Sequence, residues 1–401
     1  MLPPIISAPG LRLPAPGQEE LEATMALTAV LRLIATQEGG SLSMARFMEL
    51  CLYEPTRGYY TSGRVKFGWE GDFVTSAELT PLFARCLARQ IAQVLQASDG
   101  KHILEIGAGS GLLAAELMSS LRELDQRPTR YYIFEISEAL RETQARTLRA
   151  LIPDLFSRFV WLDRLPAPAI TGAIVANEVL DALPVHCFAI EQGTIRERRV
   201  VWGGNGFRWS ADAMFPSSAE AQIERLLRAL PAPLDSGYAS EINLGLDAWF
   251  SSCYSSLARG ALFCVDYGYP RAEYYHPQRR DGTLICHYRH RAHTDPLILV
   301  GLQDISAFVD FTAAADAACT AGFRLAGYAS QAHFLLSCGM DQVLEQCQKK
   351  TPTRYLRYAQ QAKSLLLPGE MGERFKVLAL AKDMEQALLG FRLFNHRARL
   401  A

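Results

Sequence analysis

The sequence predicts an α/β protein built on a mostly parallel β-sheet with helices packed on both faces. The first observation is residues 102–111, HILEIGAGSG, which have the pattern of a short buried strand ending in a glycine-rich turn, with a helix following at residues 112–121. The second is residues 131–135, YYIFE, which form another apolar strand that ends in a carboxylate. Strand and helix patterns keep alternating beyond this point, which is typical of a doubly wound sheet.

Six strands of this sheet can be placed from short apolar runs, and a seventh has two alternative positions. The six are expected at residues 102–106, 131–135, 158–162, 172–176, 260–266 and 323–328. The seventh is expected to run antiparallel, at residues 333–338 or 375–381. The pattern alone leaves these two alternatives open.

The chain carries additions at both ends of this core and two insertions within it. An Asn-Gly pair at Asn205 and Gly206 predicts a hairpin in the first insertion. The second insertion is expected to be a long loop after the fifth strand, and loops of that length in compact domains are often functional. The predicted organisation is an extended arm at 1–20, a helical region with a covering loop at 21–98, a core at 99–339 with insertions at 196–209 and 267–303, and a helical extension at 340–401 that has room for the last core strand.

The composition limits the classes of function. With 401 residues, 49% of them hydrophobic, the chain can bury a substantial core. The formal net charge of −1 gives no reason to expect a nucleic-acid partner, since such partners usually select for a basic excess. We expect no transmembrane segment, because no apolar run reaches the length needed to cross a bilayer.

The first residues and the cysteines bear on the compartment. The first twenty residues lack the charged region and continuous apolar stretch of a secretion signal. They contain a single Arg and two acids, Glu19 and Glu20, which disfavours a mitochondrial presequence. The nine cysteines include no C-x-x-C pair, so we interpret them as free thiols in a reducing compartment. These patterns predict a cytoplasmic location.

The glycine turn indicates a nucleoside cofactor without phosphates. Gly107, Gly109 and Gly111 have the spacing G-x-G-x-G, whereas a dinucleotide fold requires G-x-G-x-x-G. The turn contains no basic residue to meet a phosphate, and Glu105 adds negative charge beside it. Glu135 ends the next strand, where a carboxylate can accept the hydroxyls of a ribose. The pattern favours S-adenosylmethionine, with its positive sulfonium and amino group; the alternative is a turn that uses glycine only for tight packing.

Polar side chains follow the other predicted strands. Asn177, Glu178 and Asp181 come directly after the fourth strand, and Asp266 ends the fifth. Asp163 follows the third strand, where its side chain is expected to meet the adenine amino group. Ligands of open α/β sheets bind at the carboxyl ends of the strands, so we expect these groups to converge on one cleft. For each residue taken singly, the alternative is a helix N-cap.

The chain resembles the MidA family of class I S-adenosylmethionine-dependent methyltransferases, which includes a mitochondrial assembly factor of respiratory complex I. The resemblance implies a Rossmann-like core with a seven-stranded, mostly parallel sheet. It also implies a protein arginine methyltransferase, since the mitochondrial member is understood to dimethylate, symmetrically, an arginine of a complex I subunit. The matching segments are residues 53–60, 71–76, 104–111, 177–184, 266–268, 304–311, 330–334 and 371–375.

The resemblance and the chemistry of methyl transfer together suggest the site residues. A guanidinium is planar, permanently charged and rich in donors, so carboxylates are needed to hold it. The predicted catalytic residues are Glu178, Asp181 and Glu241, the last at the start of a predicted helix, where the alternative is a simple interaction with the helix dipole. The predicted cofactor-binding residues are Gly107, Ala108, Gly109, Gly111, Glu135, Asp163 and Asn177, with Asp72, Phe73, Thr75 and Ser76 of the covering loop.

The chain departs from the family pattern at two positions and carries one cluster that resembles a metal site. Ala108 stands where many relatives have Pro, and Phe308 where many have His, so no catalytic weight is placed on Phe308. Cys286, His290 and His293 match no common zinc spacing, and the flanking arginines would repel a cation. We therefore predict no metal and interpret this segment as a substrate-facing loop.

Three functions remain open from the sequence. The first is methylation of an arginine in a protein partner, with a respiratory complex I subunit implied by the resemblance. The second is methylation of a small molecule or RNA, and the third is a non-catalytic assembly chaperone that uses the fold to bind a partner. A peptide substrate requires an open groove, whereas a small-molecule enzyme would show an enclosed aromatic pocket. The apolar helical tail makes a homodimer plausible.

Overall fold

A computed structural model of the chain describes residues 13–63 and 76–400. The strands of these residues are β1 (Ser41–Ser43), β2 (His102–Ile106), β3 (Arg130–Phe134), β4 (Phe159–Leu162), β5 (Ile170–Asn177), β6 (His186–Glu191), β7 (Thr194–Trp202), β8 (Phe207–Ala213), β9 (Ala239–Ile242), β10 (Leu257–Tyr269), β11 (Ile285–Tyr288), β12 (Arg291–His293), β13 (Asp304–Ser306), β14 (Val309–Asp310), β15 (Arg324–Ser330) and β16 (Phe375–Lys382). The helices are α1 (Gln18–Gln37), α2 (Met44–Tyr53), α3 (Ser76–Leu79), α4 (Pro81–Ser98), α5 (Leu112–Glu123), α6 (Glu138–Leu151), α7 (Ser217–Arg228), α8 (Leu246–Ser256), α9 (Arg271–Tyr274), α10 (Phe311–Ala321), α11 (Gln331–Ser337), α12 (Met340–Lys350), α13 (Tyr355–Leu366) and α14 (Met371–Arg374).

The central sheet has the order β15-β16-β10-β5-β2-β3-β4. Neighbours from β10 to β4 are parallel, and β16 runs antiparallel to both β10 and β15. The two-residue strand β14 adds to β10. This arrangement confirms the predicted α/β fold with a seven-stranded, mostly parallel sheet.

Between the two alternatives for the last strand, the structure selects residues 375–382. Residues 331–337 form helix α11 instead, because Ser330 caps it by accepting a hydrogen bond from the His333 amide at 3.4 Å. The chosen segment is mostly apolar and lies between β10 and β15, with seven of its eight residues buried and alternate side chains in the two cores on either face of the sheet.

A second sheet, of five strands, lies beside the core and was largely missed from the sequence. Its order is β1-β7-β6-β9, with β8 paired to β7. The hairpin predicted around Asn205 and Gly206 is confirmed as β7 and β8. The N-terminal region, expected to be helical, also supplies strand β1, which pairs with β7. This sheet depends on pairing between segments far apart in the chain, for which local patterns carry little signal.

The insertion at 267–303 is not the simple loop that was expected. It extends β10, adds helix α9 and builds most of a three-stranded sheet in the order β12-β11-β13. His287 of β11 stands opposite Asp304 of β13 in that sheet. The insertion therefore has regular secondary structure along much of its length, which positions its side chains through strand pairing.

Both ends of the chain pack onto this framework. Helix α1 begins at Gln18, inside the segment predicted as an extended arm, and buries Leu27 and Leu31. The C-terminal region contains α12 and α13, as expected, but its last residues form only short 3₁₀ turns at Leu389–Phe391 and Arg397–Leu400. Among the described residues, no helix is both long and apolar enough to span a bilayer.

Candidate active site

A cleft of about 370 Å³ opens at the carboxyl ends of the central strands. Its walls come from the glycine turn after β2, the end of β3, the turn after β5 and the three-stranded sheet of the insertion. This is the position at which open α/β sheets bind their ligands. Residues from both ends of the chain complete it, including Tyr53, Tyr60 and Arg374.

The glycine turn lines one end of this cleft. Gly107 and Gly109 have positive φ values of 67° and 52°, which a residue with a side chain rarely adopts. Both line the cleft together with Ala108 and Ser110. Gly111 does not, because a Cβ there would lie 3.0 Å from the Gln144 Cα of helix α6. For this third glycine, close helix packing is the correct interpretation.

Glu135 faces the cleft just after β3, as expected. Its Oε1 accepts a hydrogen bond from the Ser137 amide at 2.9 Å, and its Oε2 accepts one from Gln144 Nε2 at 3.1 Å. Burial raises the pKa of this carboxyl, while the two donors act in the opposite direction. Gln144 also donates to the Gly109 carbonyl at 3.1 Å. This glutamine, missed from the sequence, ties the acid to the turn.

Asp163 is not in the cleft, contrary to prediction. Its side chain is 88% exposed and pairs with Arg141 at 2.6 Å. Arg141 also donates to the Leu162 carbonyl at 2.9 Å and to the Glu135 carbonyl at 2.6 Å. Arg141 therefore holds the Asp163 carboxylate at the exposed edge of the sheet. The order of the strands alone does not predict this ion pair.

The turn after β5 brings Asn177, Glu178 and Asp181 into the cleft. Glu178 adopts φ 54°, an uncommon conformation for a residue with a long side chain, of the kind that concentrates at functional sites. Asp266 holds the turn, because its Oδ2 accepts hydrogen bonds from the Leu180 and Asp181 amides at 2.9 and 3.2 Å. Of the strand-end groups expected to converge, Asn177, Glu178 and Asp181 therefore line the cleft, Asp266 supports their turn, and Asp163 lies outside.

Two buried acceptor atoms in this turn have no hydrogen-bond partner among the described residues. They are Asn177 Oδ1 and Asp181 Oδ1. The other Asp181 oxygen, Oδ2, accepts a 2.5 Å hydrogen bond from the Tyr267 hydroxyl. Burial, and next the charge of Asp304, raise the pKa of Asp181 to about 7. Buried acceptors are normally satisfied, so these two atoms indicate a ligand that brings donors.

The opposite wall carries a cluster that sequence reasoning did not assign. Asp304 is buried, and accepts hydrogen bonds from the Tyr60 hydroxyl at 2.8 Å and the Ser306 hydroxyl at 2.6 Å. The Nδ1 atom of His287 lies 3.8 Å from Asp304 Oδ2. Tyr53 stacks on Tyr60 with ring centroids 5.6 Å apart. The signal for Tyr53, Tyr60, Asp304 and Ser306 was their place in segments 53–60 and 304–311, and His287 lies in the segment interpreted as a substrate-facing loop.

Glu241 occupies a different place from the one predicted. It lies in strand β9 rather than at the start of a helix, and it is 2% exposed. Its Oε2 accepts hydrogen bonds from the amide and hydroxyl of Thr283, both at 2.9 Å. It lines a separate cavity of about 340 Å³, on the other side of Phe308. Its contacts join the second sheet to the insertion, which is a structural role.

Three further predictions concern the covering loop, Phe308 and a metal site. Asp72, Phe73 and Thr75 lie outside the described residues, and Ser76 begins helix α3. Phe308 packs against Tyr267 and Tyr269, with ring centroids 5.0 and 5.7 Å away, as an apolar part of the wall. Among the described residues, no three His, Cys, Asp or Glu side chains are grouped to hold a metal ion.

The strand order and the glycine turn define a nucleoside-binding methyltransferase fold, and comparisons with known proteins agree. Residues 86–329 match the profile of a family described as S-adenosyl-L-methionine-dependent methyltransferases. A Burkholderia thailandensis crystal structure, described as a methyl transferase bound to S-adenosyl-homocysteine, is 41% identical over 96% of this chain and 99% of that one, with a TM-score of 0.91.

Two curated relatives extend the comparison. The mitochondrial protein arginine methyltransferase NDUFAF7 of Homo sapiens is 27% identical, over 85% of this chain and 80% of its own. Its Drosophila melanogaster homolog is 26% identical, over 85% and 82%. The chain belongs to this family of S-adenosylmethionine-dependent methyltransferases, as its motifs predict, and its cofactor is S-adenosylmethionine.

Proposed function

We propose that the protein transfers a methyl group from S-adenosylmethionine to an arginine side chain of a protein substrate. The observation that carries this proposal is a pair of buried acceptors, Asn177 Oδ1 and Asp181 Oδ1, that no described residue partners, in a cleft that also contains Glu178 and Asp304. A guanidinium is planar, remains charged at any physiological pH and presents five N–H donors. A guanidinium therefore suits a cleft lined by carboxylates better than an uncharged methyl-accepting group would.

The cofactor-binding part of the proposal rests on the other end of the cleft. We assign the nucleoside to the turn of Gly107, Ala108 and Gly109, and the ribose hydroxyls to Glu135. The carboxylate lies beside the turn and is linked to it through Gln144. Glu105, 1% exposed and bonded to the Tyr131 hydroxyl at 2.7 Å, also lines this end of the cleft. When bound, the cofactor supplies an electrophilic methyl group.

We propose that the turn after β5 binds the substrate. We assign Glu178 and Asp181 to the guanidinium, with Asp181 Oδ1 as the acceptor that fixes its position. Tyr267 holds the second Asp181 oxygen and so fixes the carboxylate in one orientation. Methyl transfer requires the nucleophile in line with the departing sulfur, so the main contribution of these residues is positioning and charge.

The partner is proposed from relatives rather than from geometry. Curated relatives at 26–27% identity are named protein arginine methyltransferases. With the family resemblance, this supports a protein substrate, and a respiratory complex I subunit as the first candidate. The nine free cysteines, eight of them buried, support a cytoplasmic location in this proposal.

A small-molecule acceptor is the second candidate, favoured by one observation. Aromatic side chains line part of the cleft, including Tyr53, Tyr60, Tyr267 and Trp249. Enclosed aromatic walls are common in small-molecule sites. The carboxyl groups that line the same cleft favour a cationic substrate.

One labelling experiment separates these candidates. The protein is incubated with [methyl-³H]-S-adenosylmethionine and an extract of cells that lack it, and proteins are separated from small molecules before hydrolysis. Tritium in methylarginines from the protein fraction supports the proposal. Label confined to small molecules would replace it with the second candidate, and label in another amino acid would keep the protein substrate but reject arginine.

A further inference from the structure

The cleft contains a histidine and an aspartate for which the proposed function gives no role. His287 and Asp304 are direct partners across strands β11 and β13, so the three-stranded sheet brings both to one wall. The His287 side chain is 14% exposed and that of Asp304 is 4% exposed. A largely buried His–Asp pair in the wall of the cleft is expected to have a chemical role there.

Arginine methylation creates a need for a proton acceptor. One guanidinium nitrogen forms a bond to the methyl carbon, and the electron pair of the carbon–sulfur bond stays with sulfur. The substrate begins with one positive charge and ends with one, while the sulfonium becomes a neutral thioether. One N–H proton must therefore leave the guanidinium, and a group at the cleft wall has to take it.

The candidate proton acceptors are Glu178, Asp181, Asp304 and His287, and their contacts distinguish them. Glu178 is assigned to the guanidinium and also accepts a hydrogen bond from Asn177 Nδ2 at 3.2 Å. Both oxygens of Asp304 already accept hydrogen bonds from hydroxyls, those of Tyr60 and Ser306. Asp181 has one oxygen held by Tyr267, and the other is the acceptor assigned to the guanidinium. An imidazole at the same wall can accept a proton on one nitrogen while the other donates towards Asp304.

We propose that His287 accepts the proton that the substrate arginine loses, and that Asp304 orients the imidazole and stabilises its charged form. This inference rests on the proposed arginine substrate. Tyr60 and Ser306 are then positioning residues, because they fix the Asp304 carboxylate. The 3.8 Å separation of His287 Nδ1 and Asp304 Oδ2 is longer than a hydrogen bond, and it is expected to shorten when substrate fills the cleft.

The test removes the His287 side chain by mutation and then supplies free imidazole in solution. His287→Ala is expected to lower the rate of tritium transfer to protein by at least about 100-fold, since a positioned proton acceptor contributes roughly 10²–10⁴. Affinity for S-adenosylhomocysteine, measured by calorimetry, is expected to stay within about threefold. Added imidazole is expected to restore activity at least about tenfold, and more basic substituted imidazoles to restore more, because proton transfer follows Brønsted behaviour.

The matched control is a second histidine, His290, in the turn that joins β11 to β12. His290→Asn changes an exposed residue in the β11–β12 turn, where φ is 58° and Asn is well tolerated. It is expected to keep full activity, whereas His287→Asn is expected to lose as much as His287→Ala.

The outcomes separate this inference from the proposed function. Methylarginine formation by the wild type with His287→Ala equally active, or inactive and not rescued by any imidazole, overturns the role of His287 alone. A requirement for His287 with imidazole rescue, but with label on a nucleophile other than arginine, overturns the arginine substrate and leaves the proton acceptor standing. No transfer by the wild type to any acceptor overturns both.

Discussion

The hydroxyl of Tyr267 donates a 2.5 Å hydrogen bond to one oxygen of Asp181, and the other oxygen of that carboxylate is buried with no donor in the described part of the chain. One half of the side chain is thus fixed by the protein and the other half is left for a ligand. Asp181 lies in the turn after β5 and Tyr267 lies in β10, 86 positions apart in the chain. Such a half-satisfied buried carboxylate is costly unless a ligand completes it.

Replacing Asp181 tests this relationship. Asp181→Asn keeps an acceptor for Tyr267 but removes the charge that faces the substrate. We expect methyl transfer to fall by about 10²–10³, as for loss of one preorganised electrostatic group. Affinity for S-adenosylmethionine is expected to change by less than about threefold. The measurements are tritium transfer to protein and calorimetric titration.

Tyr267→Phe is the matched control for Asp181→Asn. It releases the fixed oxygen without altering the charge, so the loss of transfer is expected to be smaller, about tenfold. An Asp181→Asn protein with wild-type activity would remove Asp181 from the proposed guanidinium site.

Two glutamates allow the assignment of the cleft to be tested with the same chemical change. Glu178→Gln is expected to retain cofactor binding and to lose methyl transfer by at least about 100-fold, because the residue lines the cleft beside Asn177. Steady-state transfer and calorimetry on the same preparation measure both quantities. Full activity would exclude Glu178 from the catalytic residues.

Glu241→Gln is expected to behave in the opposite way. Its carboxylate bonds to Thr283, outside the cleft, so transfer is expected to stay within about threefold of wild type. The free energy of unfolding is expected to fall by about 1–2 kcal/mol, the usual effect of weakening buried hydrogen bonds. Urea titration measures the stability, and a loss of activity in a stable variant would restore Glu241 to the catalytic list.

Gly109→Val tests the cofactor turn. Gly109 has φ 52° and lines the cleft, so a β-branched side chain there is both strained and in the ligand's space. Affinity for S-adenosylmethionine is expected to weaken at least about 100-fold, which corresponds to about 2.7 kcal/mol. Calorimetry measures the change.

Gly204→Val provides the control for backbone strain. Gly204 also has a positive φ, 93°, but an added Cβ there meets no atom within 4 Å. Both variants should lose similar stability, and only Gly109→Val should lose cofactor binding. Unchanged affinity in Gly109→Val would mean that the cofactor does not lie against this turn.

Stability is expected to depend on pH through Glu105. Burial raises the pKa of this carboxyl from 4.5 to about 7. Between those two values the folded protein binds more protons than the unfolded chain, so the free energy of unfolding falls as pH rises. The effect of this one group is about 3 kcal/mol between the two limits, since each pKa unit corresponds to 1.36 kcal/mol.

Glu105→Gln should remove this part of the pH dependence. Denaturant titrations of both proteins at about pH 5 and about pH 8 measure it. The wild type should lose more stability than the variant on going to the higher pH. Parallel losses in the two proteins would show that Glu105 is ionised in the fold at both values.

Two errors show where sequence reasoning reaches its limit. Asp163 was placed in the cleft because acids near strand ends were expected to converge there, and Glu241 was placed among the catalytic residues as a carboxylate at the start of a predicted helix. Asp163 instead pairs with Arg141, and Glu241 bonds to Thr283 from within a strand of the second sheet. In both cases the side chain's direction was decided by a residue brought near by packing.

The sequence by itself determined the α/β core, the glycine turn and the acids after β5, because these depend on local periodicity and on backbone conformations that few residues allow. Only the tertiary structure decided that Tyr60 would meet Asp304, 244 positions away, or that His287 would stand opposite it. The second sheet and the insertion bring those residues together by long-range strand pairing. The physical reason is that such pairing depends on the burial and partners of both strands at once, which no single segment encodes.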